Sequence, residues 1–247
     1  MKLISKFFLI LVLFITCSAK ADIFSNLSDN DRLAIQAEIR AYILNNPEVI
    51  IEAVQNLENK KRRNQEEVDL SLIQSSYDEL FNDNISWQGG NLNGDITIIE
   101  FLDYRCGYCR KAHREVRKLI KSDGNIKLII KEYPILGEKS TLSARLAISV
   151  LKKHGPEDYR IVHDKLMTEN INLNENSIIK FLENLNINSS IVLKHINSDE
   201  VTSHLRKIRA LGQKLKISGT PTFIIEENII RGFVDFNQMK EIIKNIR

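Results

Sequence analysis

FLDYRCGYCRKAH, residues 101–113, joins a predicted strand to a predicted helix and carries two cysteines three positions apart. The run ITIIEFL at residues 96–102 is continuous and rich in β-branched residues, which predicts a buried strand. Helical spacing then relates five apolar positions, namely Cys109, Ala112, Val116, Leu119 and Ile120. Because DGN at residues 123–125 is a stop signal, the helix is expected to end there. Cys106 therefore lies where the strand gives way to the helix.

Further elements extend this pair into an α/β domain. A second buried strand is predicted at Ile126 to Ile130, so that strand, helix and strand form a βαβ unit with parallel pairing and a right-handed crossover. Residues 87–95 are rich in Gly and Asn and predict a loop. The other predicted elements are a helical region from Thr141 to about Leu215, a strand at Thr222 to Ile225 and a terminal helix at Phe236 to Ile246.

The two cysteines in CGYC admit four interpretations. A structural disulfide is disfavoured, because a loop this short gains little entropy from closure. A structural zinc site needs about four ligands, and the five histidines show no closely spaced pair to complete one. Copper(I) binding by two thiolates is chemically reasonable and stays open as the alternative function. Redox catalysis is favoured, because Cys106 falls at the start of the predicted helix.

The predicted helix start suggests separate roles for the two cysteines. Unsatisfied backbone N–H groups and the positive end of the helix dipole face the sulfur of Cys106 and stabilise its thiolate. Cys109 lies one turn further along the helix, where it can attack a mixed disulfide formed on Cys106. Cys106 is therefore the expected nucleophile and Cys109 the resolving residue.

The runs GGNLNGDITIIEFLDYRCGYCRKAH, KEYPILG and GTPTFII resemble exported DsbA-like thioredoxin-fold thiol:disulfide oxidoreductases, especially the suppressor-of-copper-sensitivity protein C branch. The resemblance covers about residues 89–247. It implies an α/β thioredoxin-like fold with a helical insert at about 139–215, preceded by an N-terminal helical segment. It also implies a protein disulfide oxidoreductase that forms, reduces or isomerises disulfides through a redox-active pair, Cys106 and Cys109. Neither an organic cofactor nor a metal is expected.

The resemblance assigns roles to other residues. Thr220 and Pro221 are expected to form a cis-proline loop beside the cysteines, with Thr220 backbone groups pairing with an extended substrate. Glu100 is expected beneath Cys109, where burial raises its pKa and lets it relay a proton. Lys131 is a candidate partner for Glu100. From the residues alone, the alternatives are a strand-start proline, a carboxylate facing water and a solvated lysine.

Gly107 and Tyr108 separate the cysteines and are expected to tune the redox potential. By the resemblance, this pair and a Thr before the proline favour isomerases and reductases over strong oxidases. His113 follows Cys109 by one helical turn, and as an isolated residue it is interpreted as a helix-surface histidine.

The N-terminus predicts export. Two lysines precede an apolar run at residues 7–15, and AKA at 19–21 fits a signal-peptidase site, so residues 1–21 are interpreted as a signal peptide. The alternatives are a retained anchor or lipidation of Cys17. Loss of three lysines brings the formal net charge from +3 to zero, so nucleic acid is not an expected partner. The expected location is the periplasm, with exported cysteine-containing proteins as substrates and a membrane redox partner that resets the pair.

Residues 22–69 form the predicted N-terminal segment, before a catalytic domain at 70–247. Ser28 and Asp31 are typical of a helix N-cap, and NNP at 45–47 is expected to end that helix and begin a second. The apolar stripe of the second helix ends in a polar stretch at residues 59–69. The run KKRR in this stretch is interpreted as a solvated helical face. Two amphipathic helices cannot bury their stripes alone, so they are expected to pack on the main domain or on other copies of the chain. The polar stretch that separates them from the rest favours the second option, homo-oligomerisation.

Overall fold

The computed structural model describes residues 27–247, so the predicted signal peptide at residues 1–21 and Cys17 lie outside the described residues. The chain divides into two compact units, with the boundary between Lys61 and Arg62. Within residues 27–247, none of the helices is long and apolar enough to cross a membrane.

Two helices begin the described chain, α1 at Asp29–Asn45 and α2 at Glu48–Gln74. Ser28 caps α1, since its side-chain oxygen accepts from the backbone N–H of Asp31 while the Asp31 carboxylate accepts from the backbone N–H of Ser28. The predicted start of α1 and the predicted break before Pro47 are therefore confirmed.

The second helix, α2, continues through the polar stretch at residues 59–69 to Gln74. Its later turns have anchors that the periodicity did not reveal. Ile73 is buried, and Asp69 accepts two hydrogen bonds from the guanidinium of Arg231, at 2.7 and 2.8 Å. The KKRR run lies on this helix and is exposed, as predicted.

Five strands form one sheet in the order β1-β3-β2-β4-β5. Their bounds are β1 Trp87–Gly90, β2 Ile96–Leu102, β3 Ile126–Glu132, β4 Thr222–Ile225 and β5 Asn228–Arg231. Strands β2 and β3 are parallel, as the predicted βαβ unit requires, whereas the other three pairings are antiparallel.

The loop prediction for residues 87–95 is wrong in its first half, because β1 pairs with β3 there. Its Gly-rich composition disfavours a strand, so local propensity missed it. Non-local contacts hold it instead: the buried Trp87 indole stacks on Tyr159 and donates a 2.9 Å hydrogen bond to the carbonyl of Pro156.

Eight further helices follow α2 within the described chain. They are α3 Tyr77–Phe81, α4 Gly107–Asp123, α5 Glu138–His154, α6 Pro156–Thr168, α7 Glu175–Glu183, α8 Ser189–His195, α9 Asp199–Lys214 and α10 Phe236–Ile246. The predicted stop of α4 is confirmed, since Gly124 adopts a left-handed conformation with φ of 71°. The predicted helical region between the second and third predicted strands is occupied by α5 to α9.

The sheet separates two hydrophobic cores. Side chains of Ile98, Leu102 and Ile130 belong to the core that includes α4, whereas Phe101 and Ile129 belong to the other. Side chains alternate between the two faces of a strand, so neighbouring residues in β3 face different cores. This alternation decides which polar groups can reach the cysteines.

Candidate active site

Cys106 is the N-cap residue of α4, with φ of −76° and ψ of 118°. Its Sγ accepts from the backbone N–H of Cys109 at 3.4 Å, so the sulfur takes up one of the unsatisfied donors of the helix start. The residue is 8% exposed. Charge on this sulfur would lie at the positive end of the helix dipole, as the sequence predicted.

Cys109 is 0% exposed, and both cysteines are free thiols. Burial raises the pKa of the Cys109 thiol well above its ordinary value, and the nearby carboxylate of Glu100 adds to the rise. Near neutral pH, Cys109 therefore keeps its proton. The two sulfurs occupy different environments although they lie one helical turn apart.

The Thr220–Pro221 peptide bond is cis and lies directly beside the cysteines. The thiol of Cys106 donates to the carbonyl of Thr220 at 3.2 Å, across 114 positions of sequence. Thr220 is half-buried and precedes β4, which pairs with β2. The structure thus brings the run that contains CGYC and the run GTPTFII together, as the resemblance implies.

Gly107 and Tyr108 are exposed at the start of α4. The ring of Tyr108 is 60% exposed and lies 6.4 Å, between centroids, from the ring of Phe233. Lys111 places its Nζ 5.3 Å from the centre of the Tyr108 ring. The rings of Tyr108 and Phe233 form an exposed aromatic surface at the start of α4.

Asp103 is a buried residue that the sequence reasoning missed. Its Oδ1 accepts from the backbone N–H of Arg105, and its Oδ2 accepts from those of Ile135 and Leu136 at 2.8 and 3.0 Å. The carboxylate therefore ties the turn before Cys106 to the loop after β3 and fixes where the cysteine lies. Asp directly after a strand is a turn-forming signal that could have found it.

Glu100 is 1% exposed on the cysteine side of the sheet. Its Oε1 has no hydrogen-bond partner among residues 27–247. Burial raises the pKa of this carboxyl to about 8, and the Glu132 charge contributes. Glu100 is thus predominantly protonated near neutral pH and can exchange that proton in the range where enzymes work.

The hypothesis that Lys131 is the partner of Glu100 is wrong. Lys131 pairs in register with Phe101, and its side chain lies on the opposite face of the sheet. There its ammonium group donates to the carboxylate of Asp83 and, at 2.9 Å, to the carbonyl of Glu79. Burial is the main cause that lowers its pKa.

Glu132 is the acidic neighbour that Glu100 has instead. It is buried, and its Oε1 accepts from the phenol groups of Tyr104 and Tyr159 at 2.7 and 2.6 Å. Burial raises its pKa to about 8 against the effect of these two hydrogen bonds. The available signal was its even spacing from Ile130, which places both side chains on one face of β3.

His113 is buried, so its interpretation as a helix-surface histidine is wrong. Its ring packs edge-on against that of His163 in α6, with centroids 5.1 Å apart. The Tyr104 hydroxyl lies 3.0 Å from Nδ1 of His163. A polar cluster therefore extends from Glu132 through Tyr104 to the α4–α6 contact.

The family model described as thioredoxin matches residues 83–245, about two thirds of the chain. This chain belongs to the thioredoxin family. A second model, described as the copper resistance protein ScsC N-terminal domain, matches residues 31–63. The predicted thioredoxin-like fold, with its helical insert and N-terminal helical segment, is confirmed.

Several thioredoxin-family proteins are similar to this chain. A thioredoxin-like oxidoreductase from Silicibacter pomeroyi DSS-3 is 35% identical, with a TM-score of 0.64 over 69% of this chain and 96% of that one. A linker-deletion mutant of Proteus mirabilis ScsC is 26% identical, with a TM-score of 0.66 over 90% of this chain and 97% of that one. Disulfide bond formation protein D of Bacillus subtilis (strain 168) is 24% identical over 63% of this chain and 74% of its own length.

These similarities place the protein in the DsbA-like, ScsC branch of thioredoxin-fold proteins, as the sequence predicted. Its activity is that of a thiol:disulfide oxidoreductase that acts on cysteine-containing substrates.

Proposed function

We propose that this enzyme works in the periplasm on exported proteins and uses Cys106 as its nucleophile. The Cys106 thiolate attacks one sulfur of a substrate disulfide, a new S–S bond forms, and the other substrate sulfur leaves as a thiolate. The carrying observation is the position of Cys106 as the N-cap of α4, beside Thr220 and partly exposed. The sulfur there lies at the positive end of the helix dipole, next to the exposed Gly107 and Tyr108.

Cys109 resolves the mixed disulfide. Its thiol gives up a proton, its sulfur attacks Cys106, and the substrate leaves as a second thiolate, so that two electrons pass from the cysteine pair to the substrate. Glu100 is the proposed proton acceptor, because it lies on the same face of the sheet and its charge influences the Cys109 thiol. Such help matters, because burial opposes ionisation of Cys109.

Thr220 and the neighbouring aromatic surface bind the substrate in this proposal. Backbone groups of a residue that precedes a strand can pair with an extended peptide, as an added strand would. Tyr108 and Phe233 offer exposed rings to apolar side chains of that peptide. An unfolded or misfolded chain presents both features, and a compact native protein presents few.

We further propose that the enzyme isomerises or reduces disulfides rather than forming them. Gly107, Tyr108 and Thr220 support this direction through the resemblance. Isomerisation requires that the cysteine pair be kept reduced, so a membrane redox partner must return two electrons after each net reduction.

The redox state of the cysteine pair in growing cells tests this direction. Rapid acid quenching followed by thiol alkylation is expected to find Cys106 and Cys109 mainly reduced, and deletion of the membrane reductant should make them oxidised. A pair that is mainly disulfide-bonded would contradict the proposal and favour an oxidase. Thiols that resist alkylation until a copper(I) chelator is added would favour the copper-binding alternative.

Homo-oligomerisation through the N-terminal helices is also proposed. None of the residues of α1 is buried in the single chain, and apolar side chains stay exposed on both helices, including Leu33, Ile39, Leu44, Ile51 and Leu57. An apolar surface of this kind usually marks an interaction site. Several catalytic sites around one substrate would suit an isomerase.

Replacing Ile39 and Leu57 together by Glu is expected to yield a monomer, because both charges would be desolvated in an apolar interface. Light scattering after size-exclusion chromatography measures the mass. The control is Gln55→Glu, which adds a charge at an exposed polar position of α2 and should leave the mass unchanged. A wild-type protein that is already monomeric would rule out the oligomer.

A further inference from the structure

Two histidines and an aspartate meet where α4 packs on α6, outside the cysteine pair. His113 comes from α4, and His163 and Asp164 come from α6. One potential ligand atom from each residue lies within 4.8 Å of the other two. None of the three has a role in the proposed disulfide exchange.

His113 directs one ring nitrogen at Asp164 in this cluster. The side chain is 7% exposed, and Nε2 lies 3.1 Å from Oδ1 of Asp164. That atom nevertheless forms no aligned hydrogen bond with any group in the described part of the chain. Two ligands of one tetrahedral Zn²⁺ ion lie about 3.3 Å apart, which is close to this spacing.

His163 is held in a form suited to binding a metal. The phenols of Tyr104 and Tyr159 both donate to Glu132, so the oxygen of Tyr104 can accept from Nδ1–H of His163. That tautomer leaves a lone pair on Nε2, and an outer hydrogen bond of this kind is usual for metal-bound imidazoles.

A cavity of about 220 Å³ adjoins the three side chains and is also lined by Glu100. A water molecule needs about 30 Å³, so a metal-bound water fits beside the protein ligands. An open position of this kind is typical of three-ligand zinc sites. The cavity therefore has room for a water molecule as the fourth ligand.

We propose that His113, His163 and Asp164 bind one divalent transition-metal ion, such as Zn²⁺, at a site distinct from Cys106 and Cys109. Two imidazoles and a carboxylate favour Zn²⁺, Ni²⁺ or Cu²⁺ over Mg²⁺ and Ca²⁺, which prefer oxygen ligands. The site does not depend on the proposed direction of disulfide exchange.

Positive charges around the cavity moderate the affinity. Arg117 places Nη1 3.0 Å from Oδ2 of Asp164, the carboxylate oxygen that is turned away from His113. Arg160 also lines the cavity and is paired with Glu157. Lys121 lines the cavity as well, and its charge opposes a cation there. Glu100 and Glu132 offset these cations only as pH rises through about 8, because burial raises the pKa of both carboxyls to about that value.

The test uses the untagged full chain with Cys17, Cys106 and Cys109 each replaced by Ser, because native thiols would bind the same ions. Equilibrium dialysis is expected to find one Zn²⁺ per chain. His113→Gln and Asp164→Asn should each weaken binding at least tenfold. The control is His154→Gln, which removes another histidine paired with an aspartate, since its Nδ1 lies 3.5 Å from Asp158. Circular dichroism verifies that each variant is folded.

A second measurement needs no substitution among the ligands. In imidazole NMR spectra of the same cysteine-free protein, Zn²⁺ is expected to shift the signals of His113 and His163, two of the five histidines. The signals of His154, His195 and His204 should stay in place. Absence of saturable binding, or full affinity in folded His113→Gln and Asp164→Asn, would overturn the proposal, as would shifts confined to the other three histidines.

Discussion

Replacing Cys106 by Ala is expected to lower insulin reduction by the purified protein by a factor on the order of 10³ or more, to the background rate. The reason is positional. Cys109 is fully buried and burial raises its pKa, so it cannot take over the attack on a substrate disulfide. The rate of insulin precipitation with dithiothreitol as reductant measures the loss.

Cys109→Ala is the matched control for this experiment. It keeps the nucleophile but removes the resolving sulfur, so a mixed disulfide between Cys106 and the substrate should accumulate and be visible by non-reducing electrophoresis. Cys106→Ala should form no such adduct. Residual activity of Cys106→Ala near the wild-type level, or an adduct on Cys109, would reverse the proposed roles.

Replacing Glu100 by Gln is expected to slow resolution of the mixed disulfide by roughly 10²-fold above pH 8. Burial raises the pKa of Glu100 to about 8, so this carboxyl becomes an effective proton acceptor only as pH rises through that value. The wild-type rate of resolution should therefore rise through pH 8, and the variant should lack that inflection. Stopped-flow release of a fluorescent thiol from the mixed disulfide measures the step.

The free energy of unfolding should fall as pH rises, because the pKa of Glu100 is higher in the folded protein than in the unfolded chain. Unfolded Glu100 ionises near its ordinary value of 4.5, whereas the folded protein keeps it protonated to about 8. The stabilisation that results from the raised pKa of Glu100 is fully present below pH 4.5 and is lost as pH rises toward 8. The glutamine in Glu100→Gln does not titrate. Between pH 4.5 and 8, the free energy of unfolding of this variant should therefore fall less than that of the wild type, by a few kcal/mol. Urea unfolding at several pH values measures the difference.

Two further variants make the Glu100 result specific. Glu183→Gln changes an exposed carboxyl at the end of α7 and should alter neither the rate profile nor the pH dependence of unfolding. Glu132→Gln should shift the inflection to lower pH, because the Glu132 charge is one cause of the raised pKa of Glu100. An unchanged profile in Glu100→Gln would remove Glu100 from the proton transfer.

Local pattern was enough to predict much of the fold. The bounds predicted for β2, β4 and α10 agree with the structure, and Cys106 lies at the start of α4 as expected. These features depend on residues close in sequence: a β-branched run, a helical apolar stripe and a stop at Gly124. By contrast, β1 has weak local propensity and exists because it pairs with β3.

The candidate site was only partly predictable for the same reason. The buried position of Glu100 was expected from the resemblance, but its neighbour was misassigned to Lys131. The register of β2 and β3 determines which residue is the neighbour of Glu100. It places Glu132 on the same face of the sheet as Glu100 and Lys131 on the opposite face. His163 comes from a helix 50 residues after His113 along the chain, and nothing local marks their contact.

The amino-acid sequence by itself determined that two cysteines lie at a strand–helix junction, because secondary-structure period and capping are local properties. Only the tertiary structure decided that Cys106 donates to the carbonyl of Thr220 and that His113 is buried against His163. It also decided that Cys109 is fully buried near the carboxyl group of Glu100. The physical reason is that exposure, electrostatic environment and pKa depend on which distant segments pack together, and packing is settled only when the whole sheet and its helices are assembled.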